Sequence, residues 1–170
     1  MTGASRVAYV IACSAPPVLD LPRFLRLLKD HDWDPYVILT PTAAMWVDVG
    51  KLAVVSGHEV RIEPRTPADP DSLPPAAAVI AAPLTFNTLN KWAAGISDIL
   101  ALGLLNETLG LGLPITAAPC IKEALRGHPA YARSVATLSA AGVGVLDPER
   151  VIVPIPNSSP TLDWSRVLPR

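Results

Sequence analysis

The chain has 170 residues, with 14 basic against 15 acidic side chains and a formal net charge of -1. Half of the residues are apolar, 17% are charged and 5% are aromatic. That composition excludes intrinsic disorder and shows no electrostatic footprint for nucleic acid or an anionic membrane, while two cysteines make neither a disulfide framework nor a four-ligand zinc site.

In chain order, Arg6 to Cys13 (RVAYVIAC) predicts a buried strand that Pro16 and Pro17 break. Asp20 to His31 places Leu21, Phe24, Leu25, Leu27 and Leu28 on one helical face, with Asp20 as the N-cap. Tyr36 to Thr40 (YVILT) is a short strand ended by Pro41; Thr42 then caps a helix through about Val54, which Gly57 closes. His58 to Ile62 (HEVRI) alternates like an edge strand, and the proline-rich Glu63 to Pro75 is a loop.

Ala76 to Ala82 (AAAVIAA) suits the sheet centre. Helical spacing runs from Asn87 to about Leu109, Leu113 to Ala118 (LPITAA) is a strand, and Ile121 to Ala141 is helical with an interruption at Gly127 to Pro129. Val151 to Val153 forms a short last strand. The expected division is a domain over residues 1–153 and a proline-rich C-terminal arm or tail over 154–170. The polar start, Met1 to Arg6, carries the expectation of no signal peptide. Pro, Gly, Asp or Asn interrupts each apolar stretch before the ~20 residues a bilayer requires. The expectation is a cytoplasmic protein without nucleic-acid or membrane partners. Its mean hydropathy of +0.35 points to surface buried in an oligomer.

Alternating strands and helices predict an α/β domain, and in open parallel sheets ligands sit outside the carboxyl ends of the strands. Here those ends are Cys13-Ser14-Ala15, Thr40-Pro41-Thr42, Pro83 to Thr88, and Pro119-Cys120. Hydroxyls and free N–H groups at helix starts can cradle a phosphate without Lys or Arg, or the Ser and Thr residues merely cap the helices. Cys13 is read as a small buried residue, Trp46 and Trp92 as core or subunit packing, and His31 and His58 as surface residues.

The segment Pro83-x-Thr85-x-Asn87-Thr88, followed by Lys91, Gly95 and Asp98, resembles the Pro-Ala-(Ser/Thr)-Ala-Asn-Thr motif of the homo-oligomeric flavin-containing cysteine decarboxylases. This family includes phosphopantothenoylcysteine and lantibiotic peptidyl-cysteine decarboxylases. The preceding Ala-Pro strand end, the turn Thr40 to Ala43, the strand Leu113 to Pro119 and the run Gly127-His128-Pro129 resemble the family in the same order.

The resemblance implies a three-layer α/β/α Rossmann-like (flavodoxin-like) fold with a mostly parallel six-stranded sheet. It also implies FMN rather than FAD as cofactor, and a homotrimer or higher assembly of trimers with flavin at subunit contacts. The implied cofactor residues are Ser14, Ala15, Thr40, Thr42, Pro83, Thr85, Asn87 and Thr88. The implied activity is oxidative decarboxylation of a C-terminal cysteine in a peptide or small molecule.

Two departures bear on the chemistry. The family histidine falls within Asp69-Pro70-Asp71, where no histidine stands. The second signature, Pro-x-Met-Asn-x-x-Met-Trp, is replaced by Pro119-Cys120-Ile121-Lys122-Glu123-Ala124-Leu125-Arg126. Lys122 in the asparagine position, with Arg126 one turn on, can bind a substrate carboxylate, or the two are solvated charges on an exposed helix. The alternative functions are a flavin-binding carrier, regulator or partner subunit that has lost decarboxylation, and a domain for another phosphorylated ligand.

Overall fold

In the computed structural model, which describes residues 6–69 and 73–169, the first apolar run forms strand β1 (Arg6–Ala12), buried over its last five residues. The 3-10 turn Pro16–Asp20 leads into helix α1 (Leu21–Asp30), which buries Leu21, Phe24, Leu25 and Leu28 along one face. Strand β2 (Trp33–Leu39) pairs parallel with β1, from Arg6 against Trp33 to Ala12 against Leu39.

The single helix expected from Thr42 is two, α2 (Pro41–Ala44) and α3 (Val49–Ser56). Thr40, not Thr42, caps the first, accepting the Ala43 N–H at 3.2 Å. Asp48 caps the second, accepting the Lys51 N–H at 2.9 Å. Each cap satisfies an otherwise orphaned N–H, so each starts its own helix. Gly57 closes α3 in the left-handed region, at φ 86°.

Strand β3 (Ala78–Leu84) is buried throughout. The expected helix from Asn87 divides into α4 (Phe86–Ala93) and α5 (Leu100–Gly110) at Gly95, whose φ is 73°. The Asn106 amide holds that break by donating to the Ile96 carbonyl and the Ser97 hydroxyl, and Lys91 pairs with Asp98 across it. Strand β4 (Ile115–Pro119) is followed by α6 (Glu123–Arg126), α7 (Pro129–Ala140) and a two-residue strand, β5 (Gly144–Val145). Helix α8 (Pro148–Val151) then leads into a hairpin of β6 (Ile152–Val153) and β7 (Thr161–Leu162), closed by a 3-10 turn at Trp164–Arg166.

Among the described residues the central sheet is parallel, five strands in the order β2-β1-β3-β4-β5. This corrects the six-strand expectation. The His58 to Ile62 run supplies only a single parallel bridge, from Arg61 to Ile38 at the outer edge of β2, before Pro64 ends the pairing. Of Val151 to Val153, Val151 ends α8 and Ile152 and Val153 pair instead in the separate antiparallel hairpin. β5, too short to show a pattern, is a strand the sequence did not predict.

The strand pleat divides the core. Ala8, Val10 and Ala12 face α1, α3 and the C-terminal segment, while Tyr9, Ile11 and Cys13 face α4, α5 and α7. Three α/β/α layers of a Rossmann-like fold result. Leu162, Trp164 and Val167 join the core beside α1, and the Trp164 ring stacks on Phe24 with centroids 4.6 Å apart. Asp20 makes no side-chain cap bond, contrary to expectation. Its carboxylate accepts from the Thr161 hydroxyl and the Trp164 indole N–H, each at 2.9 Å.

Candidate functional site

Parallel pairing brings the ends of β1, β3 and β4 level. The Cys13 N–H donates to the Pro83 carbonyl and the Cys120 N–H to the Leu84 carbonyl, both at 2.9 Å. Thr40 N–H donates to Ala12 O at 3.1 Å, which brings the second turn beside the first. Ser14 and Ala15, Thr40, and Thr85 to Thr88 therefore converge on one edge of the sheet, as expected of a doubly wound fold.

The hydroxyls there are engaged in building the turns. Thr85 caps α4 by accepting the Thr88 N–H at 3.4 Å, and its hydroxyl donates to that of Thr88 at 3.2 Å. Capping is thus the local role of Thr40 and Thr85, whereas Thr42 is exposed in the first turn of α2. The Asn87 side chain is exposed, and no hydrogen bond to its amide is found among the described residues. An amide both donates and accepts, so Asn87 is the group of this turn open to a ligand. Pro83 is buried in β3, joined to Ala82 by a cis peptide bond.

Beneath the turn lies Cys13, 1% exposed. Burial pushes its thiol up, an effect partly opposed by hydrogen bonding with Thr88 and Thr85. Burial also raises the Cys120 thiol. Both favour the neutral form, so neither is an activated nucleophile.

On the fourth turn Ile121 is buried and Lys122 is exposed at the start of α6. Arg126 lies 3.8 Å from Glu149 of α8, with its Nε buried and unpartnered among the described residues. Burial pushes the Tyr131 hydroxyl pKa up, an effect the Arg126 charge partly opposes. Arg126 is therefore turned toward α7 and α8, which leaves Lys122 as the exposed cation of the pair. Asp69 accepts from the Thr66 N–H at 2.7 Å and closes a local turn; Pro70 and Asp71, the rest of the expected histidine position, lie outside the described residues.

His128 gave no signal for a site beyond its His-Pro context. Its ring packs edge-to-face on Phe86, with centroids 5.7 Å apart. Met45 and Trp46, which follow the second turn, are 84% and 47% exposed. Trp46 thus lies outside the core, where Trp92 is buried. His58 is half-buried, stacked on Tyr36 with its Nε2 2.6 Å from Asp34. Cavities of about 500 Å³ between α1 and the C-terminal segment and of about 430 and 610 Å³ beside β5 are lined by residues outside these four turns.

A family model described as Flavoprotein matches residues 5–162. The chain belongs to the Flavoprotein family. Among relatives, it is similar to the Coenzyme A biosynthesis bifunctional protein CoaBC of Bacillus subtilis (strain 168), 29% identical over 118 residues. That alignment spans 66% of this chain and 28% of the relative. The fold is similar to that of MrsD from Bacillus sp. HIL-Y85/54728, with a TM-score of 0.75, 18% identity, and 98% and 95% of the two chains covered. It is also similar to the FMN-dependent cysteine decarboxylase TvaF from thioviridamide biosynthesis, with a TM-score of 0.69, 23% identity, and 85% and 91% covered. Among the described residues no helix is long and apolar enough to cross a membrane.

Proposed function

We propose that this flavoprotein binds FMN across the carboxyl ends of β1 to β4. The supporting observation is the exposed Asn87 amide on the turn that Thr85 and Thr88 build, beside Ser14, Ala15 and Thr40 at the same sheet edge. Asn87 holds the flavin by its amide, Ser14 and Ala15 approach the phosphate through backbone, and Thr40 offers the hydroxyl hydrogen its cap leaves free. Thr42 stands at the rim, and Pro83 sets the path of β3 into the turn. When bound, FMN supplies an acceptor for an electron pair, and the protein supplies position and electrostatics.

The substrate in this reading carries a carboxylate, a C-terminal cysteine of a peptide or small molecule, and meets Lys122, the exposed cation, with Arg126 one turn behind it and turned toward Glu149. Asp69 lies in a Thr66 turn and is no substitute for an imidazole. Lys122 lacks the acceptor oxygen of an amide. Decarboxylation is accordingly weak or absent with ordinary cysteine peptides, and the second reading, a flavin-binding carrier or partner subunit, is favoured by those same two departures. The assembly proposed is a homotrimer or a higher assembly of trimers, in which a neighbouring copy covers the flavin's open side.

Flavin titration tests the main reading. FMN should quench on binding, and Asn87→Ala should weaken it by about tenfold, the size of one or two hydrogen bonds. No titration signal at high micromolar FMN would refute it. Mass spectrometry of peptides ending in cysteine then reads the reaction as loss of carbon dioxide and two hydrogens. Rapid turnover would exclude the carrier reading.

A further inference from the structure

The turn between α6 and α7 holds a histidine that the proposed site does not yet use. His128 stands at the N-cap of α7, where its Nδ1 accepts the Ala130 N–H at 3.0 Å. Its ring is exposed and lies edge-to-face on Phe86, the residue between Thr85 and Asn87. The other histidines are remote: His31 is bonded to Leu27 at the end of α1, and His58 is stacked on Tyr36 beside β2.

The cap bond has a chemical consequence. An imidazole nitrogen that accepts a hydrogen bond carries no proton, so the neutral ring keeps its proton on Nε2. Held in that tautomer, His128 cannot serve as a base through Nδ1 without giving up the Ala130 bond, but it presents Nε2–H as a donor. A donor of this kind suits an oxyanion, and fixing the tautomer and ring in advance removes part of the ordering cost of binding.

We infer that His128 donates its Nε2–H to an oxyanion of the ligand seated at the Thr85–Thr88 turn, while its Nδ1 caps α7. The inference rests on the flavin placement proposed above for the identity of that turn as a site. Two sources supply the oxyanion, the flavin phosphate and the carboxylate of a substrate.

Two substitutions separate the cap from the donor. Asn is a good N-cap, so His128→Asn keeps the Ala130 bond and the melting temperature while removing Nε2–H; His128→Ala loses both. The full chain is titrated with FMN, with riboflavin, and with a cysteine-terminated peptide as free acid and as C-terminal amide. A loss of about tenfold in His128→Asn for FMN but not riboflavin assigns the phosphate, and for the acid but not the amide assigns the carboxylate. Nitrogen-15 spectra of the wild type should show the Nε2–H tautomer, with the resonance shifting on the same titration. Unchanged affinities for all four ligands in His128→Asn, with only His128→Ala destabilised, would reduce His128 to a cap and overturn the inference while leaving the flavin reading intact. If the wild type binds peptide but no flavin, the flavin reading fails and the acid–amide pair still decides His128. Binding of none of the four overturns both.

Discussion

Cys13 shows how far one side chain's environment decides its chemistry. It ends β1 beneath the turn that carries Asn87, 1% exposed, its thiol raised by burial. In the unfolded chain a thiol ionises near pH 8.5. The folded form resists that ionisation, so the stability tied to the neutral thiol is whole below the unfolded pKa and is lost as pH rises through the folded value. Cys13→Ala removes the titrating group and flattens this alkaline loss. Urea unfolding of both proteins from about pH 7 to 10 should show the wild type's advantage shrinking as pH rises. A gap constant over that range would mean the thiol does not titrate differently on folding.

At the scale of elements, the C-terminal segment is tied into the layer beside α1. Trp164, 3% exposed, stacks on Phe24, and Asp20 receives both its indole N–H and the Thr161 hydroxyl. Trp164→Ala should cost about 3–5 kcal/mol, the range for truncating a buried aromatic. Asp20→Ala leaves two donors without their acceptor and should cost about 2 kcal/mol. Asp48→Ala, which removes an ordinary helix cap, should cost about 1 kcal/mol. Chemical denaturation measures all three, and an Asp20 effect no larger than that of Asp48 would show that its two long-range bonds add nothing.

For the whole molecule, Met45 and Trp46, which follow the second strand-end turn, expose apolar surface that an assembly of copies would cover. Light scattering should return a multiple of the 18.0 kDa chain mass that stays constant on dilution. Met45→Lys with Trp46→Glu should lower that mass and weaken flavin retention together. A wild-type mass near that of one chain across a concentration series rejects the assembly.

The sequence by itself determined the alternation of strands and helices, the buried β1 and β3, and the strand-end turns with Thr85, Asn87 and Thr88, because apolar periodicity and turn chemistry are local properties. Local signals also misled: with Thr40 and Asp48 both able to cap, the residues between Thr40 and Gly57 form two helices where one was expected. The remaining features came from contacts between distant parts of the chain. Asp20 gave up its cap to bind residues 141 and 144 positions away, Ile152 and Val153 paired outside the central sheet, Arg126 turned toward Glu149, and His128 met Phe86 across α4 and α7. Each of these is a long-range partnership, fixed by which surfaces the fold brings together and invisible to any window along the chain.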